Sequence, residues 1–173
     1  MTSDHSISTL STTDVSIRLR PVEVPEDIAA AVEWYSDPEV LHLSQGENVT
    51  PFDAAMAEKM FSMMSTRGEV YIIEVLESDA WRSVGDASLC QEAGTPIVIG
   101  NARDRSRGIG RIVLARLVER ATELGWLKLV VSGIYTDNLR ALRLYEGAGF
   151  KIVEEVPAEN TRTQWTMTLK LDN

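Results

Sequence analysis

Cysteine and histidine are nearly absent from this chain: Cys90 stands alone, and His5 and His42 are the only histidines in 173 residues. One thiol cannot close an internal disulfide, and two distant imidazoles give poor material for a metal site or a serine–histidine pair. The expected setting is therefore cytoplasmic, with no metal. No apolar run approaches the ~18 to 20 residues that cross a bilayer, and the opening MTSDHSISTLSTTD has neither a basic region nor an apolar stretch. No membrane partner is expected. Basic residues are also outnumbered. The 17 Lys and Arg against 26 Asp and Glu give a net charge of -9, which repels nucleic acid and anionic lipid and favours a cationic partner.

What is present suits one folded domain. Hydrophobic residues make up 44% and charged residues 25%, an ordinary globular balance. Residues 1–14, rich in Ser and Thr, are expected to be a flexible N-terminal tail, with 15–173 forming a single domain. VSIRLRPV from Val15 alternates apolar and polar positions and predicts a strand. EDIAAAVEWYSD predicts a short helix to about Tyr35, followed by a loop from Ser36 to Thr50. Thr50 and Pro51 then open a second helix that Gly68 ends. EVYIIEVLE and WRSVGDASL predict a hairpin, and TPIVIG a brief buried strand. GRIVLARLVERATELG places Ile112, Val113, Leu117, Ala121 and Leu124 on one stripe, the mark of an amphipathic helix stopped by Gly125. LKLVVSGIY is a strand, Asn138 caps the helix LRALRLYEGAG, and FKIVEEV and TQWTMTLKL are closing strands.

The chemistry concentrates between TPIVIG and the long helix. Residues Asn101 to Arg111 carry Arg103, Arg105, Arg107 and Arg111 against the single acid Asp104, a local +3 inside a chain of -9. Gly108 and Gly110 leave backbone N–H groups uncovered where a helix begins with its positive dipole end, a geometry that binds phosphate. The plainer alternative makes the glycines turn residues and the arginines a solvated face. A dinucleotide-binding fold fits less well, because its glycine motif follows the first strand of the unit and needs an acid some twenty residues on. The Gly-Lys-Ser/Thr of a P-loop is absent.

The segment Arg105-Ser106-Arg107-Gly108-Ile109-Gly110 matches Q/R-x-x-G-x-G/A, and Asn138-Leu-Arg-Ala-Leu-Arg-Leu-Tyr145-Glu-Gly-Ala-Gly-Phe150 follows downstream. On these residues the chain resembles the GCN5-related N-acetyltransferase (GNAT) superfamily. The resemblance implies an α/β fold with a mostly antiparallel twisted sheet of about seven strands and about four helices, splayed at strands 4 and 5. It implies acetyl-CoA as co-substrate, with the diphosphate cradled by the amides of Arg107 to Arg111 together with Arg105 and Ser106. Ile97, Val98 and Ile99 would pair with the pantetheine amides like an added strand. Asn138 caps its helix and contacts the same arm.

Direct transfer needs a base for the amine proton, donors for the carbonyl oxygen, which an N–H near Val98 supplies, and an acid for the departing thiolate. Tyr145 occupies the family's acid position, the alternative being a core aromatic whose hydroxyl binds a neighbour. The strand Thr95 to Gly100 lacks the acid that many relatives carry, which leaves Glu92, Asp86 and Glu74, with Glu92 taken as the candidate, or a water relay. Substrate selection falls to Trp34, Tyr35 and Glu47, with Asp37, Glu39 and His42 nearby, aromatics and acids that suit a cationic amine. The expected reaction is acetylation of a primary amine on a small cationic molecule, polyamine-like or aminoglycoside-like. Protein N-terminal or lysine acetylation and a non-catalytic acyl-CoA-binding domain are the alternatives. A homodimer is expected.

Overall fold

The computed structural model describes residues 7–12, 15–92, 94–158 and 162–171. Along these run strands β1 (Ile7–Thr12) and β2 (Val15–Pro21) and helices α1 (Ile28–Trp34), α2 (Pro38–Ser44) and α3 (Ala54–Ser65). The hairpin β3 (Glu69–Glu77) and β4 (Ala80–Leu89) follows, then β5 (Ile97–Ile99), a single 3-10 turn at Ala102–Asp104, and α4 (Ile109–Glu123). The chain ends with β6 (Lys128–Tyr135), α5 (Leu139–Gly147), β7 (Lys151–Pro157) and β8 (Thr163–Lys170). Every neighbouring pair of strands is antiparallel.

The strands form two sheets, one ordered β1-β2-β3-β4-β5 and one ordered β6-β8-β7. The expected splay is thus a full separation, and it falls between β5 and β6, the fourth and fifth strands counted from Val15. β3 is central and buried on both faces. Tyr71, Ile73 and Val75 join the cluster under α4 and α5, while Val70 and Ile72 join the cluster under α1 and α3, as the two-residue period of a strand requires. Helix α4 turns Ile109, Ile112, Val113, Leu114, Leu117 and Ala121 inward, and each fully buried leucine stabilises the fold by roughly 1.5–3 kcal/mol. The β3–β4 turn places Ser78 and Asp79 at φ 51 and 63, the left-handed pair that matches hairpin twist.

Three expectations are corrected. Part of the expected tail is a strand, because Ile7–Thr12 pairs with the free edge of β2; the rest of 1–14 lies outside the described residues. The expected loop from Ser36 to Thr50 contains α2, begun by Asp37, whose side chain accepts from the Glu39 amide at 2.8 Å, with Pro38 in the first turn. The following helix starts at Ala54 and not at Thr50, because Asp53 caps it by accepting from the Met56 amide at 2.8 Å.

Candidate active site

The two sheets touch at one end and part at the other. Thr95, fully buried, donates its hydroxyl to the Val130 carbonyl at 3.2 Å. A Cβ on Gly94 would stand 3.3 Å from that same oxygen. Beyond this vertex β5 and β6 diverge and enclose a cleft of about 330 Å³ lined by both strands, the start of α4, one side of α2 and one side of α5. On the β5 side, Ser88 donates to the Pro96 carbonyl at 3.1 Å and Gly100 to the Val84 carbonyl at 2.9 Å, while Asp86 pairs with Val98 between them. The even-numbered residues therefore bond to β4, and the N–H groups of Ile97 and Ile99 face the cleft. The N–H groups near Val98 that could meet a carbonyl oxygen are thus those of Ile97 and Ile99, since the ladder consumes that of Val98 itself. On the β6 side a bulge between Val131 and Ile134, with Gly133 at φ 78, aims Ser132 and Gly133 into the cleft.

At the head of α4, Gly108 takes φ 82, the left-handed conformation that glycine adopts without steric cost, and has no heavy atom within 4 Å of where a Cβ would stand. Among the described residues, the backbone N–H groups of Ser106, Arg107, Gly108, Ile109 and Gly110 have no acceptor, whereas Arg111 reaches back to the Gly108 carbonyl at 3.2 Å. Five successive bare donors beside a helix N-terminus form an anion cradle. It lies one residue earlier than the expected Arg107 to Arg111.

The arginines behave differently from expectation, because acids distant in sequence consume most of the local positive charge. The Arg105 side chain is 8% exposed and donates to the Ile99 carbonyl at 3.0 Å, the Gly100 carbonyl at 2.7 Å, Asp37 at 2.7 Å and Glu39. It is a tether and not a free phosphate ligand. Arg103 binds Glu77 at 3.1 Å and Arg107 binds Asp104 at 2.9 Å, while Arg82 grips the same buried Asp104 with two bonds. Arg111, exposed on the first turn of α4 and lining the cleft, has no carboxylate partner among the described residues.

Helix α2 crosses the cleft mouth as a strap. Glu39 accepts from Arg105 on one arm and, at 2.7 Å, from Arg140 of α5 on the other. His42 contacts Asp137 at 3.2 Å, and Arg162 binds Asp137 at 2.6 Å and the His42 carbonyl at 2.9 Å, with its guanidinium 3.6 Å over the Tyr135 ring. The hydrogen bond from Arg140 holds the Glu39 carboxyl below its usual range against the opposing effect of burial. For Asp37, burial acts upward, but Arg105 and the backbone bonds outweigh it and the net direction is downward.

Tyr145 and Asn138 both belong to the cleft lining. Asn138 caps α5 by accepting from the Ala141 amide at 3.1 Å and lines the cleft. Tyr145 also lines it, buried edge-on against Phe150 with ring centres 5.3 Å apart, and donates its hydroxyl to the Thr95 carbonyl at 2.8 Å. Burial raises its phenol above the ordinary value, so it stays protonated at neutral pH.

Four expected site residues lie elsewhere. Glu92 is exposed in the turn between Cys90 and Gly94, past the closed end of the wedge, and does not line the cleft. Trp34 and Tyr35 are core residues at 3% and 2% exposure. Trp34 packs so closely on Gly100 that a Cβ there would stand 2.0 Å from its ring, and Tyr35 stacks on Phe52 at 4.9 Å. Both aromatics fill the space between α1 and the sheet and so cannot meet a substrate. Glu47 is exposed in a separate hollow behind α2. Of the other acids considered, Glu74 binds Arg18 and Arg20, and Asp86 is buried beside Val98. The sequence reading missed Arg140, Ser132 and Thr95; Gly133 inside a strand was the available signal for the bulge.

A sequence profile of the acetyltransferase (GNAT) domain matches residues 16–151. No curated protein sequence matches the chain. Solved structures do. A domain from Methanocaldococcus jannaschii aligns with TM-score 0.77 and 21% identity over 91% of this chain and 100% of that one. YncA of Salmonella typhimurium, a putative acetyltransferase with acetyl-CoA, aligns with TM-score 0.69 and 21% identity over 90% and 94%. Spermidine N-acetyltransferase of Vibrio cholerae, in complex with CoA and spermine, gives TM-score 0.73 and 16% identity over 90% and 95%.

Proposed function

Since this chain belongs to the GNAT acetyltransferase family, we propose that it moves an acetyl group from acetyl-CoA directly to a primary amine of a small cationic molecule. The observation that carries this reading is the run of five unclaimed amides from Ser106 to Gly110 at the mouth of a wedge with two unpaired strand edges. The residues present fit the cofactor. The amides and Arg111 would hold its diphosphate, the cleft-facing N–H groups of Ile97 and Ile99 would bond its arm and thioester carbonyl, and Asn138 would flank it. When bound, acetyl-CoA supplies the thioester that the amine attacks.

The chain's own residues then divide the work. An inward N–H of β5 receives the negative charge that builds on the carbonyl oxygen. Tyr145, the buried phenol, gives its proton to the departing sulfur in place of Thr95. The overall charge of -9 draws a cationic acceptor toward the protein. One observation favours a second reading, a non-catalytic acyl-CoA-binding domain: the two acids lining the cleft, Glu39 and Asp104, are both committed to arginines.

Calorimetric titration and an amine panel with thiol detection test the proposal. Acetyl-CoA at ~100 times its Kd adds about 2.7 kcal/mol of stability, which raises Tm by roughly 5–10 °C in a domain of this size. Absence of binding refutes the proposal. Binding without thiol release across the panel leaves the second reading in place.

A further inference from the structure

Among the described residues four carboxylates are buried, and three of them meet arginine. Asp27 is gripped twice by Arg20, Glu74 lies between Arg18 and Arg20, and Asp104 takes Arg82 and Arg107. Asp86 is the exception. It is 3% exposed, and its one side-chain partner is the Tyr35 hydroxyl at 3.2 and 3.4 Å from its two oxygens. A buried carboxyl without a cation is costly to keep ionised, so its presence in the middle of a central strand calls for a use.

Its position supplies one. Asp86 is the β4 partner of Val98, and Val98 lines the cleft. Paired residues on adjacent strands share a face with Cβ atoms about 5 Å apart, so Asp86, which does not itself line the cleft, is separated from it by the single side chain of Val98. On that face Asp86 has Ile72 of β3 on its other side, Val98 of β5, and the apolar cluster of α1 and α3 over it. The charged groups nearest this nest are already engaged. Arg20, opposite Ile72 and about 10 Å away by strand spacing, is held by Asp27 and Glu74. Beyond Tyr35, Asp37 is held by Arg105 at the end of β5. Burial pushes the Asp86 carboxyl up to about 7, with the Tyr35 hydrogen bond acting the other way, which suits a group that must accept and then release a proton near neutrality.

We infer that Asp86, oriented by Tyr35, is the proton acceptor of the transfer reaction, reached from the acceptor nitrogen through one water behind Val98. This rests on the N-acetyltransferase reading and fills the place that Glu92 cannot. The nitrogen–carbon bond forms as the carbon–sulfur bond breaks. The nitrogen's proton passes to the Asp86 carboxylate, and the thiolate takes the Tyr145 proton. Solvent exchange afterwards deprotonates the aspartic acid and reprotonates the phenol. Tyr35 is a positioning residue.

The test compares the wild-type protein with Asp86→Asn, Asp86→Glu and Tyr35→Phe, measuring acetyl-CoA affinity, Tm and the pH profile of kcat/KM with the best amine of a panel. Asp86→Asn should bind acetyl-CoA within about threefold of wild type and be no less heat-stable. Its kcat/KM should fall on the order of 100-fold, with loss of the wild-type limb centred near pH 7. Tyr35→Phe should move that limb upward, because it removes the hydrogen bond that favours the ionised form, and Asp86→Glu should restore part of the rate if it folds. An Asp86→Asn protein with wild-type kcat/KM and an intact limb overturns the inference while leaving the N-acetyltransferase reading standing. A wild-type protein that binds acetyl-CoA yet acetylates no amine removes both. Should Asp86→Asn fail to fold, an unmoved limb in Tyr35→Phe overturns the inference on its own.

Discussion

Replacing Tyr145 by phenylalanine separates a proton donor from a structural pin. The substitution keeps the ring and its edge contact with Phe150 at 5.3 Å, and deletes one hydroxyl that donates to the Thr95 carbonyl at 2.8 Å. Thr95 is fully buried, so its carbonyl loses a donor that water cannot replace. Such a loss costs about 1–3 kcal/mol, and at roughly 2–4 °C per kcal/mol for a domain of this length Tm should drop by about 2–12 °C. If the phenol also protonates the leaving sulfur, kcat should fall by about 10²- to 10⁴-fold, or roughly 2.7–5.5 kcal/mol of barrier. Thr95→Val is the matched control. It removes the bond to the Val130 carbonyl at the same vertex and leaves the phenol in place. Initial rates of thiol release at saturating amine, taken well below both melting temperatures, decide the matter. Tyr145→Phe should be slow and Thr95→Val close to wild type. Equal losses in the two variants, or a Tyr145→Phe kcat within about threefold of wild type, would refute the acid assignment.

Further outcomes follow from the same geometry. Arg105→Met should destabilise the protein by about 1–3 kcal/mol, because it leaves the Ile99 and Gly100 carbonyls without their side-chain donor and takes one partner from Asp37 and Glu39; a free phosphate ligand at this position would instead lower acetyl-CoA affinity with Tm unchanged. Gly108→Ala, measured by titration calorimetry, should weaken acetyl-CoA binding at least tenfold, since it strains a φ of 82 and puts a methyl into the open space over the cradle. Thermal scans against pH should show stability lost as pH falls below about 4. Asp37, Glu39, Asp104 and Asp137 are held below the usual carboxylate range, so their contribution is present above the unfolded values and disappears on protonation. Asp86 has the opposite sign. Its raised value makes the wild type lose stability as pH climbs from about 4 toward about 7, so the Tm advantage of Asp86→Asn should widen across that window.

Elements whose signal is local were readable in the chain. The α4 stripe, the Asn138 cap, the Ser78–Asp79 turn and the glycine loop each depend on residues within one or two turns of one another; only Leu124 of the expected stripe fails, because α4 ends at Glu123 and Leu124 is left exposed. Helix α2 escaped notice because seven residues carry too little periodicity, although Asp37-Pro38 was a start signal in plain view. The arginine cluster misled for a different reason. Its charge is cancelled by Asp37, Glu39 and Glu77, between 26 and 68 residues away, and no spacing rule reports such a partner. Trp34 and Tyr35 looked like recognition aromatics because composition cannot distinguish a ring facing a ligand from one packed on Gly100 or Phe52. Glu92 was near β5 in number but on the wrong side of the vertex.

The alternation along β5 provides a gauge of occupancy that requires no activity at all. Val98 is locked into the sheet, whereas its neighbours Ile97 and Ile99 offer their amides to the cleft, so three consecutive positions should exchange deuterium at visibly unequal rates. A bound ligand that borrows this edge should slow the two fast amides and leave the slow one unaltered, turning a single short strand into a residue-by-residue record of whether the wedge is filled.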